Sequence, residues 1–234
     1  ADELIFLNKS EAEFYLHECG LLSSEVQYRV FPLVTPLRSR AQLRGFKREN
    51  EYFTLCWWGK AAQIHGFDIM LEAVNLLKKR GPNFHLYLME IDQKRALVLE
   101  ERLQIHNLQD VASVRFDLSF SDGLEEFLAQ HCDIALGSFG DTDFAKTVLI
   151  NKALDAMSMG IPMVTRNTKA ITEFELNNGI LTICEPDPTI ICDKVVSLME
   201  SEFDVDEYQQ VAIDTHQRLF SPERFFRELD LLFH

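Results

Sequence analysis

Two stretches of this chain carry residues suited to binding an anion. The first is Trp58-Gly59-Lys60-Ala61-Ala62-Gln63-Ile64-His65-Gly66, which follows an apolar run and precedes a helical pattern. Gly59 permits close backbone approach, Lys60 supplies a point charge, and His65-Gly66 stands where a helix begins and its free amides carry partial positive charge. Phosphate binding is the chemistry such a loop performs. The alternative is an ordinary connection with a solvated Lys60 and a His65 that caps the helix. The second stretch runs from Leu136 to Asp155, a polar, glycine-containing loop that delivers Lys146 and Lys152 to the start of a helix and a carboxylate, Asp155, one turn inside it. A diphosphate on backbone N–H groups and both lysines, with Asp155 accepting from a ribose hydroxyl, makes a coherent nucleotide site. The simpler alternative pairs Asp155 with Lys152 at i,i+3 on a solvated helix face.

Other reactive side chains point to less. The histidines His17, His85, His106, His131, His216 and His234 show no mutual metal spacing. Asp141-Thr142-Asp143 spells an Asp-x-Asp metal motif, although the surrounding pattern favours metal-independent binding. The five cysteines are odd in number, scattered, and without a Cys-x-x-Cys pair, which favours a reduced, cytoplasmic setting with Cys56 and Cys132 packed inside strands.

These residues need elements to position them, and the period of the apolar residues supplies the elements. Strand-like runs at 4–7, 52–57, 84–88, 113–116, 133–136, 162–165 and 180–183 alternate with helical patterns at 11–18, 67–77, 93–105, 124–129 and 151–159, and two or three helices close the chain. Strands separated by helices imply right-handed crossovers, so the fold class is α/β, a doubly wound parallel sheet. Residues 32–50 break the pattern with Pro32, Pro36, Gly45 and the cations Arg38, Arg40, Arg44, Lys47 and Arg48, and read as an inter-domain connection.

Composition limits the partners. The 234 residues are 47% hydrophobic and 26% charged, as in ordinary globular proteins. Lys and Arg number 23 against 37 Asp and Glu, and the net charge of -14 disfavours nucleic acid and anionic membrane as partners of this polypeptide. No apolar run approaches the roughly 20 residues that cross a bilayer. The chain opens at Ala1-Asp2-Glu3-Leu4 without Met and directly in a strand-like run, which suggests a fragment or a processed product.

Several ordered motifs carry a family resemblance. Residues 151–165, Asn-Lys-Ala-Leu-Asp-Ala-Met-Ser-Met-Gly-Ile-Pro-Met-Val-Thr, resemble the "K-L-x-E-x-M-A-x-G-x-P-V-V" stretch of retaining glycosyltransferases of family 4, which have two Rossmann-like domains (the GT-B fold). Trp58-Gly59-Lys60 through His65-Gly66-Phe67-Asp68 is similar to that family's "G-R-x-x-x-x-K-G-x-D" donor loop. Leu136-Gly137-Ser138-Phe139-Gly140 and Thr168 to Glu173 are similar to a bacterial branch of it. Near the ends, Ala1 to Ser10 resembles the "A-D-x-V-I-x-x-S" strand and Phe220 to Phe226 the terminal "F-S-W-E-R" helix.

The resemblance implies four segments: the end of an N-terminal domain at 1–35, a linker at 36–50, a nucleotide-sugar-binding Rossmann-like domain at 51–220, and a helix at 221–234 that returns to the N-terminal domain. It implies transfer of a hexose from a nucleoside-diphosphate sugar to an acceptor hydroxyl with retention, no cofactor and no metal. Lys60 and His65 take the positions of the Arg and Lys that bind donor phosphates beside Gly59 and Gly66. Backbone amides around Lys146, Thr147, Val148, Asn151 and Lys152 take phosphate, and Asp155 takes the ribose-holding glutamate of the "E-x7-E" signature. The chain departs from the pattern at Thr147, where the family has a glutamate against the donor sugar, and Asp141 or Asp143 is a candidate substitute. With most of the N-terminal domain outside this sequence, the acceptor site and any membrane contact belong to the missing domain, and the fragment alone is expected to be inactive. The implied setting is cytoplasmic, peripheral to the inner membrane face, in bacterial surface polysaccharide synthesis. A non-catalytic nucleotide- or partner-binding module of the same fold, and an unrelated doubly wound domain, are the competing readings.

Overall fold

A computed structural model describes residues 3–22, 24–43, 52–202 and 204–233, with side chains to residue 230. Arg44, Gly45, Lys47 and Arg48 of the expected linker, the first two residues, and the side chains of Phe233 and His234 lie outside the described residues.

The chain begins with strand β1 (Leu4–Phe6), helix α1 (Lys9–Glu18) and strand β2 (Tyr28–Val30), and the two strands pair in parallel. Asn8 caps α1, its side chain accepting from the Glu11 amide at 2.8 Å. β2 was not expected. At three residues, with its middle residue Arg29 exposed, it has too little apolar period to stand out.

The main body follows as β3 (Phe53–Trp58), α2 (Phe67–Arg80), β4 (Phe84–Met89), α3 (Gln93–Ile105), β5 (Ala112–Arg115), α4 (Leu124–His131), β6 (Ile134–Leu136), α5 (Asn151–Met159), β7 (Met163–Arg166), α6 (Lys169–Glu173), β8 (Thr182–Cys184), α7 (Pro188–Met199), α8 (Val205–Phe220) and α9 (Pro222–Phe233). All six strands from β3 to β8 are parallel, in the order β5-β4-β3-β6-β7-β8. This is the Rossmann-like, doubly wound arrangement. The order reverses between β3 and β6, so the loops leaving those two strands diverge and open a crevice at their carboxyl ends.

Alternation along β3 explains why both faces are covered. Phe53, Leu55 and Trp57 point into one core with α2, α3 and α7, while Cys56 and Trp58 point into the other with α4, α5 and α8. A strand apolar on both faces is buried on both, and every residue of β3 is. α2 presents Phe67, Met70, Leu71, Val74 and Leu77 at helical spacing and stops at Gly81. α5 is different in kind, buried at every residue from Lys152 to Met159, charged positions included.

Some details differ from expectation. Cys132 caps the end of α4 ahead of β6 and is not inside a strand, although it is buried like Cys56. β8 starts at Thr182, because the Leu181 amide is drawn back to the Leu176 carbonyl and takes no part in the ladder. Of the closing phenylalanines, Phe220 is buried edge-on to Phe174 and Phe225 packs on Phe31, whereas Phe226 is exposed. Among the described residues no helix is long and apolar enough to cross a membrane.

The loops after β3 and β6 cross in backbone contact. Gly66 has φ +57, and a Cβ there would lie 2.5 Å from the Gly140 amide nitrogen; a Cβ on Gly140 would lie 2.5 Å from the Ile64 carbonyl carbon. Gly66→Ala therefore adds a backbone clash to the roughly 1–2 kcal/mol of left-handed strain. Gly81→Ala, at φ +89 with nothing within 4 Å of the new methyl, meets the strain alone. Urea denaturation is expected to show Gly66→Ala more destabilised than Gly81→Ala, by about 1 kcal/mol or more; equal losses would mean the two loops can separate.

Candidate functional site

The crevice predicted by the strand order is a cavity of about 580 Å³, lined from β3, the loop after it, the start of α5 and, across from them, β1–α1 and residues 35–38. Lys60, His65, Asn151, Lys152 and Asp155 all line it, together with Gly59 and Val148. Sequence positions almost a hundred residues apart are thus brought to one wall.

Lys152 is the centre of that wall. Its side chain is packed to 5% exposure, with Nζ 4.5 Å from the centroid of the Trp57 ring. Among the described residues it has neither hydrogen bond nor ion pair. Burial pushes its ammonium down to about 7, a fall that Asp155 partly offsets. Gly59, at φ +111, makes the room: a Cβ there would stand 3.5 Å from Nζ. α5 also begins without a side-chain cap at Ile150, and Ile150, Asn151 and Lys152 all line the cavity. The uncapped first turn adds the positive end of the helix to the same wall.

His65 stands beside this cation. Its Nδ1 lies 3.3 Å from Ser138 Oγ, which in turn donates to the Ile64 carbonyl at 2.8 Å. Burial, then the Lys152 charge, pushes the imidazole down to about 4. It is neutral at pH 7, and because Ser138 Oγ gives its hydrogen to the Ile64 carbonyl, the single ring N–H is Nδ1–H donated to Ser138 and Nε2 is left as an acceptor. Lys60 is exposed at the rim.

Five of the expected or candidate residues are placed elsewhere. Gly66 forms the crossing with Phe139 and Gly140 behind the wall. The Lys146 amine turns to Asp143 at 3.2 Å and Asp141 at 3.5 Å. Thr147 is buried outside the cavity lining, its hydroxyl donating to the Phe144 carbonyl at 2.8 Å. Asp141 and Asp143, the candidate substitutes for a sugar-binding glutamate, are engaged by Lys146, and Arg166 holds Asp141 from the far side while binding the Gly140 carbonyl. Among the described residues no three His, Cys, Asp or Glu side chains gather as a metal site.

The residue that sequence reasoning missed is Arg38. It stands in the cationic cluster of the expected inter-domain connection, and its side chain is 11% exposed. Nε and Nη2 reach Asp155 Oδ1 at 2.8 and 2.7 Å, Nη1 reaches Glu125 at 3.4 Å, and the guanidinium lies 3.5 Å over the Phe120 ring centroid. Trp58 Nε1 approaches the other Asp155 oxygen at 3.4 Å. Asp155 therefore neither floats on a solvated face nor pairs with Lys152; desolvation raises its carboxyl, and Arg38 works against that rise. Removing one partner of a buried pair leaves an uncompensated charge. Arg38→Met should cost about 3 kcal/mol in urea denaturation, and Asp155→Asn in the same chain should recover more than half of it. Additive losses would show that the pair is not coupled.

The chain matches the family described as "Glycosyl transferases group 1" over residues 52–201. None of the curated proteins matches it. Solved structures of the same architecture include sucrose-phosphate synthase from Thermosynechococcus elongatus, at TM-score 0.73 and 17% identity over 100% of this chain and 58% of that one. Anabaena Alr3699/HepE in complex with UDP and glucose is similar at TM-score 0.73 and 13% identity, over 100% of this chain and 63% of that one. A variant of S. aureus TarM in complex with fondaparinux, alpha-GlcNAc-glycerol and UDP gives 0.74 and 12%, over 100% and 44%. The chain thus spans between 44% and 63% of these proteins' lengths. The shared architecture is the Rossmann-like fold of GT-B glycosyltransferases, and with the family match over 52–201 the chain belongs to the group 1 glycosyl transferases.

Proposed function

We propose that this chain is the donor half of a retaining glycosyltransferase, binding a nucleoside-diphosphate sugar whose phosphates rest against Lys152. One observation carries the reading: a buried ammonium with no hydrogen bond or ion pair among the described residues, held only against the Trp57 ring, at the uncapped start of α5 and facing a cavity. Burying a cation without a partner is costly, and an anionic ligand removes that cost. In hexose transfer the bond from the anomeric carbon to the diphosphate oxygen breaks, and negative charge grows on the leaving diphosphate. Lys152, the first α5 amides and Lys60 are preorganised where that charge would develop, which favours the transition state over the ground state. These cations serve here in place of a metal. A hexose donor, retention and a bacterial surface-polysaccharide role in the cytoplasm rest on the resemblance of residues 58–68 and 151–165. Acceptor binding would lie in the part of the longer protein that this sequence does not span.

A non-catalytic nucleotide-binding module is the second reading. Thr147, which stands where the family has the sugar-binding glutamate and whose hydroxyl is given to the Phe144 carbonyl, and Arg38 on Asp155, the residue that the resemblance assigns to the ribose, favour it.

UDP is the first ligand to test, since two of the similar structures hold it. In the free protein at pH 8 Lys152, at about 7, is mostly neutral. A bound diphosphate favours the ammonium, so binding takes up close to one proton from the buffer. Titration calorimetry at pH 8 is expected to be less exothermic in Tris than in HEPES, because Tris gives up its proton at greater enthalpic cost. Lys152→Met should remove the buffer dependence and weaken binding tenfold or more, with Lys60→Ala milder. Failure of UDP, GDP and ADP alike to bind the folded chain would reject the donor-site reading.

A further inference from the structure

The wall facing Lys152 has the opposite chemistry. It comes from α1 and its entry, where Glu11 and Asn8 line the cavity, and from Thr35 in the segment after β2. Glu11 is 9% exposed, receives a backbone hydrogen bond from Leu7, and leaves Oε2 buried with no partner.

Its position is built by three sets of contacts. Asn8 caps the Glu11 amide at 2.8 Å. Glu173, from α6 of the main body, accepts from the Lys9 amide at 2.9 and 3.1 Å and from the Ser10 amide at 3.4 Å, so a carboxylate of one unit closes the N-terminus of a helix in the other. Phe14 and Tyr15 pack on Phe144 with ring centroids 5.5 and 5.6 Å apart. α1 is thereby held over the cavity, and Glu11 with it.

Two carboxylates line this space, Glu11 and Asp155. Asp155 is committed to Arg38 and Trp58. Among the described residues Glu11 Oε2 is therefore the carboxylate oxygen of the cavity-lining residues that has no partner of any kind, whereas Asp155 Oδ2 keeps the long Trp58 contact. A further anion would be repelled there, whereas a neutral hydroxyl donates a hydrogen bond and leaves no charge buried. Desolvation already raises the Glu11 carboxyl, so a donor to it has much to restore.

We propose that Glu11 reads the sugar: its free Oε2 accepts a hydrogen bond from a hydroxyl of the hexose attached to the nucleoside diphosphate held at Lys152. The assignment rests on the donor-site reading and adds the group that tells a sugar conjugate from the bare nucleotide.

The test is calorimetric titration of wild type, Glu11→Ala and Glu11→Gln with UDP, UDP-glucose, UDP-galactose and UDP-N-acetylglucosamine, with thermal melts to establish folding. Wild type is expected to bind at least one conjugate tenfold more tightly than UDP. Glu11→Ala should keep its UDP affinity within twofold and lose that tenfold preference. Glu11→Gln, which keeps an acceptor oxygen and the shape of the helix entry, should retain part of it and supplies the same comparison should the alanine variant not fold. Equal weakening of UDP and its conjugates in both variants, or an undiminished preference, overturns the role of Glu11. Wild type that binds UDP but prefers no conjugate overturns it too while leaving the donor site standing, and wild type that binds no nucleotide removes the reading on which it rests.

Discussion

The seam between β3 and β6 is the constraint on which the other features hang. It joins the two halves of the doubly wound sheet through only two registered pairs, Leu55 with Ile134 and Cys56 with Ala135. Asp133 extends it: its carboxylate accepts from the Thr54 amide at 2.8 Å, and its own amide donates to the Thr54 carbonyl at 2.9 Å. Because the crossovers leave this seam in opposite directions, the crevice lies at its carboxyl end. The glycine crossing of residues 64–66 over 139–140 then sets how close the two loops stand. No side chain larger than hydrogen fits at either crossing position, so spacing is enforced by backbone against backbone rather than by adjustable packing.

Charge is organised against the global trend. A chain of net charge -14 concentrates Lys60, Lys152 and a helix N-terminus on one wall, with a neutral histidine between them. The global charge keeps stray polyanions away, while the local wall attracts a compact one that can enter the cavity. Lys152 can be held there because its stem is enclosed by the buried α5 and its head rests on the Trp57 face, an interaction with the ring quadrupole that needs no anion.

Much of this was legible from residue order. Runs such as 53–58 and 134–136 are too apolar and too short for anything but buried strands, and the polar loops behind them had to hold whatever chemistry the chain performs. Lys60, His65, Lys152 and Asp155 follow from that logic and share one cavity. What was not legible depends on partners distant in the chain. Arg38 meets Asp155 across 117 positions, and Glu173 meets Lys9 across 164, so neither pairing leaves a local period or spacing. The side chains of Lys146 and Thr147 turn away from the cavity for a local reason. Both sit in a loop of turns, where one residue's shift in backbone direction redirects a side chain from the cavity to Asp143 or to the Phe144 carbonyl. Glu11 reads as an ordinary third-position helix residue reaching back to the helix entry, and only the unmet need of its second oxygen marks it.

Arg38 bears most directly on how a nucleoside would enter. Its guanidinium stacks on Phe120 and occupies Asp155, so for a ribose diol to reach that carboxylate it must share the Oδ2 side, where Trp58 is a distant donor at 3.4 Å, or displace the cation. Displacement uncovers a buried charge, and two neutral hydroxyls compensate a carboxylate less completely than a guanidinium held on one of its oxygens by two N–H groups. Sharing costs little, because the Trp58 contact is already long. The geometry thus favours a nucleoside that approaches along the Trp58 side with Arg38 left in place. In that arrangement Thr35 and Arg38 form part of the wall, and nucleotide affinity becomes coupled to how the segment that carries them lies between α1 and the main body.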